Sequence, residues 1–329
     1  MTDTVSPSPA SAMRAIVLHR FGGASELELA RVPVPTLGPD DVLVQVEVAG
    51  VGEWDPFERE GGYATALPGE PRFPYILGSE GAGVVAAVGE RVRRVSPGER
   101  VYAVSFLNPT GGFYAEYACV PEGMVSRLPA GLDVEQAAVM GGVASTALRG
   151  LEDMLRLERG ESLLVFGASG GVGHAAVQLA RSMGARVFGV ASGADGVALV
   201  EALGVDRVVN GHDRGVSAAA REFAPRGFDA AFIAGSSPIA TELIDLVRRG
   251  GRVAYPNGVR PVPEPRTAIA VRAFNGEPDA ELMRRLEAWL AAGPFRAHVA
   301  QTFAFEDVAR AHEALRRHYL GKLALRIQR

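Results

Sequence analysis

The chain has 329 residues, 47% of them apolar, and its 34 Lys and Arg against 38 Asp and Glu leave a net charge of −4. That is enough chain to close two separate cores, with no basic excess to hold a nucleic-acid backbone; even the Arg-rich stretch 91–94 is interrupted by Val92. A single cysteine, Cys119, excludes intrachain disulfides and any Cys-based zinc cluster, and makes a reducing, cytoplasmic setting the expectation.

Residues 1–12 are rich in Ser, Pro and Thr and lack both the basic start and the apolar centre of a signal peptide or membrane anchor, so a disordered tail is expected. From Met13, β-prone runs at 15–18, 27–31, 42–51, 81–88, 100–104 and 114–120 alternate with turns marked by Pro33, Pro35, Pro39, Gly98 and Gly112. This spacing predicts a β-rich barrel or partly open sandwich. Asp133 is placed to cap a helix through Ala138 before a break at Gly141 and Gly142. The domain boundary is put there: a β-rich domain of residues 13–134 and 276–329, and an inserted domain of residues 135–275.

The inserted domain opens on SLLVFGASGGVGH at 162–174. Four apolar residues after Ser162 read as a buried strand, and Val172, Ala176, Leu179, Ala180 and Met183 share one face of the helix that follows, which Gly184 stops. Between them Ala168, Gly170 and Gly173 fit the A-x-G-x-x-G dinucleotide fingerprint, in which Gly170 lets the backbone approach a pyrophosphate and Gly173 lets helix and strand pack closely. The backbone of Gly171 and Val172 then joins the set of phosphate-binding amides at the helix start. His174, just inside the helix, reads as partly exposed. Further strands are expected at 186–191, 207–209, 230–233, 252–255 and 269–274, with helices at 196–203, 216–223 and 239–248. Six strands in two runs of three match a doubly wound sheet. A helix at 279–292, another at 307–318 and a strand at 322–327 are expected to return to the first domain.

A carboxylate at the end of the second strand would grip the ribose 2′-OH of NAD; here the residues are Ala191, Ser192 and Gly193. Its lack favours NADP(H) over NAD(H), with Ser192 bonded to the 2′-phosphate, although no Lys or Arg lies just beyond and Asp195 is near. The six histidines are scattered without metal-ligand spacing, and Ser169, followed by two glycines, departs from the nucleophile elbow.

In this order, LGSEGAGVV at 77–85, Val88-Gly89, PGERV at 97–101, GFYAEY at 112–117, the turn at 166–173, GGRV at 250–253 and GKL at 321–323 resemble the medium-chain dehydrogenase/reductase superfamily over the whole chain from Met13. The resemblance implies an α/β protein with a GroES-like β-rich catalytic domain and a doubly wound Rossmann nucleotide-binding domain. Zinc-binding members carry a Cys within the stretch 50–55, a His before the Glu of the stretch 77–81 and a further ligand near Met140; here those places read Gly52, Ser79 and Met140-Gly141. Glu80 alone cannot hold Zn²⁺, which takes about four ligands. The departure, together with DPFEREG at 55–61 and YPNG at 255–258, implies the zinc-independent branch that resembles quinone oxidoreductases and enone reductases.

Without a metal to stabilise an alkoxide, hydride delivery to a polarised quinone or α,β-unsaturated carbonyl is the expected chemistry. The alternatives are an enoyl-thioester reductase and a non-catalytic NADPH-binding or sensor protein. Tyr63 and Trp54 resemble residues of the substrate mouth, with Tyr63 the choice for a proton or hydrogen-bond donor and Asp55 beside them. Asn257, Asn210 and Thr146 read either as cofactor contacts or as turn and cap residues. Lys322 reads either as a reach to the cofactor phosphates or as a solvated strand end. A small-molecule substrate, no nucleic-acid partner, no membrane insertion and a homodimer paired through the edge strand at 269–274 complete the expectations.

Overall fold

A computed structural model describes residues 11–66 and 70–328. Residues 1–10 of the expected tail lie outside the described residues, and Ala12 already begins a strand. The chain divides into two compact units, the first made of the chain up to Gly142, Pro278–Glu287 and the segment from Val299, the second of Val143–Glu277 and Ala288–His298.

The first unit runs β1 (Ala12–Leu18), β2 (Glu28–Pro33), β3 (Asp41–Val51), α1 (Trp54–Arg59), β4 (Tyr75–Ile76), β5 (Glu80–Val88), β6 (Arg100–Val104), β7 (Tyr117–Pro121), β8 (Val125–Arg127) and α2 (Val134–Ala138). Alternation along β3 sends Val42, Val44 and Val46 into a core shared with Val85, Val101 and Leu325. Asp133 caps α2 through the Gln136 amide at 2.8 Å and forms a reciprocal capping box with the Gln136 side chain. The glycine pair after it does not remain a break: α3 (Gly141–Arg149) starts there. A Cβ at Gly141 would lie 2.4 Å from Val104 Cγ2, so the glycine serves close packing rather than a turn.

In the second unit, β9 (Ser162–Phe166), α4 (Gly171–Ser182), β10 (Arg186–Ala191), α5 (Gly193–Glu201), β11 (Arg207–Asn210), α6 (Val216–Phe223), β12 (Phe228–Ile233), α7 (Pro238–Ile244), β13 (Val247–Pro256) and β14 (Ala270–Phe274) alternate. All pairings are parallel, and the strand order β11-β10-β9-β12-β13-β14 is that of a doubly wound Rossmann sheet. Its core holds Leu164, Phe188, Phe228, Ile233 and Leu243. The helix expected over 239–248 stops at Ile244, because Val247 opens β13, paired with Phe228 of β12, and Arg248 reaches Asp229 at 2.7 Å. Strand pairing outweighs helical propensity at that point.

The return consists of α8 (Ala280–Ala292), β15 (Val299–Ala304), α9 (Val308–Ala314) and β16 (Lys322–Arg326). β16 lies antiparallel to β3, with Leu323 opposite Val51, and extends the β-rich sheet to β15-β16-β3-β5-β6-β8, β7 pairing with β3. That register places Lys322 beside the start of α1, which is what builds the polar cluster described below.

Candidate functional site

At the end of β9 the chain turns through Gly167 at φ +78°, where the N–H groups of Gly167 and Ala168 both donate to the Val190 carbonyl, at 3.0 and 2.9 Å. Gly170 is the N-cap of α4, and no side chain caps it. The N–H groups of Gly171, Val172 and Gly173 therefore head the helix without intrahelical acceptors, at the positive end of its dipole. A Cβ on Gly173 would stand 2.0 Å from the Gly167 carbonyl oxygen, so this glycine sets how closely helix and turn approach. A Cβ on Gly170 would meet only that oxygen, at 3.5 Å, which leaves the face beside Gly170 open. These residues fit the diphosphate of a dinucleotide.

Around the turn, the Ser192 N–H donates to Ser169 Oγ at 3.2 Å. The Asn210 side chain staples its own loop, its Oδ1 accepting from Gly193 and His212 N–H groups at 3.1 and 3.2 Å. Thr146 donates to the Gly276 carbonyl at 3.3 Å, and Asn257 Nδ2 to Asn275 Oδ1 at 2.6 Å at the end of β13. His174 is buried rather than partly exposed: its Nε2 lies 2.8 Å from the Arg296 carbonyl oxygen, and burial pushes its pKa down to about 4, so the ring is neutral and structural.

The first unit gathers charged side chains in its interior. Asp55, wholly buried, accepts from the Gly52 N–H at 2.7 Å and from the Tyr114 hydroxyl at 3.0 Å, both through Oδ2. Tyr114 Oη lies 3.3 Å from His312 Nε2, and Arg59 Nη1 lies 3.0 Å from His312 Nδ1. A guanidinium only donates, so Nδ1 accepts and Nε2 carries the hydrogen. The bonds then run one way, from Arg59 through His312 and Tyr114 to Asp55. Burial and the Arg59 charge hold the His312 pKa down at about 3, which keeps the ring in this neutral form. Burial raises Asp55 to about 6 against the opposing pull of the Gly52 amide, Lys322 and Tyr114. Glu58, one turn on, accepts the Tyr75 hydroxyl at 2.6 Å and is raised to about 8 by burial and by the Asp55 charge. Its Oε2 is buried and unpartnered.

Lys322 is not a solvated strand end: the ammonium is buried, 3.0 Å from Glu80 Oε1 and 4.0 Å from the centre of the Trp54 ring. The contact with Glu80 is one of opposite charges rather than an aligned hydrogen bond. The other Glu80 oxygen accepts the Gly142 N–H at 2.8 Å. Tyr63, half-buried, stands edge-on to Phe57 and Phe106, ring centres 4.7 and 5.0 Å away. Phe57 is 52% exposed, so the three rings form an apolar lip at the surface of this unit.

Glu58, Tyr114 and His312 were missed in the sequence. Asp55, Arg59 and Gly61 of the stretch 55–61 now have separate physical duties: a buried acceptor, a bond of 2.9 Å to the Gly22 carbonyl together with the contact to His312, and a turn at φ +84° against Phe21. No local signal marks Tyr114 and His312 as partners, 198 residues apart.

A GroES-like β-rich unit and a parallel Rossmann sheet carrying a glycine turn define the class, a two-domain oxidoreductase. The profile of the "Alcohol dehydrogenase GroES-like domain" matches residues 38–130, and that of the "Zinc-binding dehydrogenase" matches residues 171–265. Quinone oxidoreductase of Lama guanicoe is 34% identical over 315 residues, 92% of this chain and 93% of the relative, and that of Homo sapiens is 31% identical over 313 residues at the same coverage. An alcohol dehydrogenase superfamily protein from Novosphingobium aromaticivorans superimposes with a TM-score of 0.84 at 27% identity, over 96% of this chain and all 100% of that one. The chain belongs to the medium-chain dehydrogenase/reductase superfamily, in its quinone oxidoreductase-like branch.

The zinc implied by one of those profiles does not fit the residues here. A Cβ on Gly52 would lie 2.5 Å from the Trp54 indole, which fills the room a ligand side chain at that position would need. Ser79 offers only a hydroxyl, and both Glu80 oxygens face other groups. Among the described residues no group of three or more His, Cys, Asp or Glu is placed to hold a metal ion.

Proposed function

We propose that this protein is a zinc-independent, NADPH-dependent reductase that delivers hydride to a quinone or an α,β-unsaturated carbonyl. The observation that carries the reading is the uncapped start of α4, open at Gly170 and closed at Gly173, in a chain matched over 92% of its length by a quinone oxidoreductase. When bound, reduced nicotinamide supplies the hydride. The amides of Gly171, Val172 and Gly173 bind and orient the diphosphate, with Ala168 and Gly170 shaping the turn. Reduction of the acceptor carbonyl develops phenolate or enolate charge, and a proton must then reach oxygen or carbon. Tyr63 is the proposed donor of a hydrogen bond to that oxygen, on a lip whose aromatic rings suit a flat acceptor.

Ser192 in place of a carboxylate favours NADPH over NADH. Exposed residues along β14, the edge of its sheet, support a homodimer paired there, to be read by light scattering at micromolar concentration. No helix among the described residues is long and apolar enough to cross a membrane; a reducing cytoplasm is the proposed location of a chain whose one cysteine is buried and free. The test is loss of nicotinamide absorbance with panels of quinones, enones and enoyl thioesters. Turnover with quinones or enones is expected, lowered about tenfold in kcat by Tyr63→Phe at unchanged NADPH binding. Silence with all three panels would refute the reading.

A further inference from the structure

We infer that Glu58 is the internal acid behind Tyr63, resupplying the proton that Tyr63 passes to the reduced acceptor, an inference that rests on the reductase reading above and deepens it. Glu58 acts through Tyr63 rather than on the acceptor. Both belong to one tight stretch. The Gly61 N–H donates to the Glu58 carbonyl at 2.9 Å and the Gly62 N–H to the Phe57 carbonyl at 2.8 Å, which brings Tyr63 back against α1 until its ring meets that of Phe57. A Cβ on Gly62 would lie 2.3 Å from the Phe57 ring, so a glycine there permits the close approach.

Of the two buried carboxyl groups one turn apart on α1, only Glu58 is equipped to hold a proton at neutral pH. Asp55 Oδ2 accepts two hydrogen bonds, which favour its anion, and the group titrates at about 6. Glu58 accepts one, from Tyr75 on Oε1, and burial with the Asp55 charge keeps it protonated up to about pH 8. With Oε1 engaged as an acceptor, the acid hydrogen sits on Oε2, which is buried and has no partner among the described residues. The remaining charged and titratable groups nearby are engaged elsewhere. Arg59 turns to the Gly22 carbonyl, His312 and Glu60, while Tyr114 and His312 belong to the chain of bonds that ends on Asp55. The Tyr63 hydroxyl lies within the field of both carboxyl groups: burial first, then the charges of Glu58 and Asp55, make it harder to ionise. A phenolate left there is costly, and an unpartnered acid hydrogen in the same field is what relieves it. Once the acceptor has gained its hydride, the Tyr63 O–H bond breaks and an O–H bond forms on the acceptor's anionic oxygen. The Glu58 Oε2–H bond breaks in turn, and the Tyr63 hydroxyl re-forms. The carboxylate that remains is held by the Tyr75 hydroxyl and takes its next proton from water between turnovers.

Two measurements on the full chain test this. Infrared spectroscopy at neutral pH reads the proton without any substrate: the carbonyl stretch of a protonated carboxylic acid is expected, fading as pH passes about 8 and missing from Glu58→Gln. Steady-state reduction of a quinone by NADPH reads the relay. The kcat of the unmodified chain should fall above about pH 8, whereas Glu58→Gln should be about tenfold slower at neutral pH, with the KM for NADPH unchanged and no such fall. Tyr63→Phe should be equally flat, and the double variant no slower than the slower single one, because the two residues act as a unit. No acid band at neutral pH, a band that survives in Glu58→Gln, a pH profile of unchanged shape in that variant, or losses that multiply in the double variant would overturn the role of Glu58 while leaving the reductase reading standing. Absence of turnover by the unmodified chain with every acceptor would overturn both.

Discussion

The glycine turn of the second unit and the buried polar cluster of the first are built on opposite principles. The turn uses backbone N–H groups, carries no charged side chain from residues 167–173 and is encoded in one contiguous stretch. The cluster uses ionisable side chains gathered from residues 55, 58, 59, 80, 312 and 322, each held in its place by others beside it. The first kind of site tolerates loss of its neighbours and is sensitive to a single methyl group. The second tolerates changes of size and is sensitive to the loss of any one charge.

The largest expected effect falls on the cluster. Lys322→Met leaves Glu80 and Asp55 buried without their nearest cation and should lower the unfolding free energy in urea by about 3–5 kcal/mol, with Lys322→Arg recovering most of it. A loss under about 1 kcal/mol would mean that the charges there are independent of one another. In the turn, Gly173→Ala forces a methyl against the Gly167 carbonyl, and a loss of about 1–3 kcal/mol together with weakened NADPH binding is expected. Gly170→Ala should leave stability within about 0.5 kcal/mol and still weaken NADPH binding, since its methyl would occupy only the face left for the diphosphate. Equal NADPH affinity in Gly170→Ala and the unmodified chain would remove the phosphates from that face.

The last effect is one of pH. Glu58 is raised from 4.5 to about 8 on folding, so the folded chain holds its proton more tightly than the unfolded one and stability falls as pH rises across that interval. His312 and His174, lowered from 6.5 to about 3 and about 4, act in the other direction, but only below pH 6.5. Between pH 6.5 and about 8 the Glu58 slope is therefore unopposed by them. The urea midpoint should decline there, and Glu58→Gln should flatten the decline, a difference of roughly 1–2 kcal/mol. A parallel decline in the variant would assign the slope to other groups.

The order of the elements and the geometry of the turn were legible in the sequence, because each depends on near neighbours. Apolar runs such as 163–166 and 230–233 mark the central strands of the second unit, and the spacing of Gly170 and Gly173 follows from one helical turn meeting one strand end. Asp133 likewise announced its helix through a residue three places on. Local patterns misled where a distant strand intervened, as at Val247, or where a glycine pair served packing rather than a stop, as at Gly141.

Lys322 shows the limit most plainly. As a residue it is a strand-end lysine; its partner Glu80 is more than two hundred positions away, and only the antiparallel register of β16 on β3 turns its ammonium inward. The directional chain from Arg59 to Asp55 has the same origin. By itself the sequence determined the two folds and the glycine turn, since hydrophobic periodicity and glycine spacing are properties of adjacent residues. Which charges neutralise one another was left to the tertiary structure, because a Coulomb interaction depends on separation in space and on burial, and neither is written along the chain.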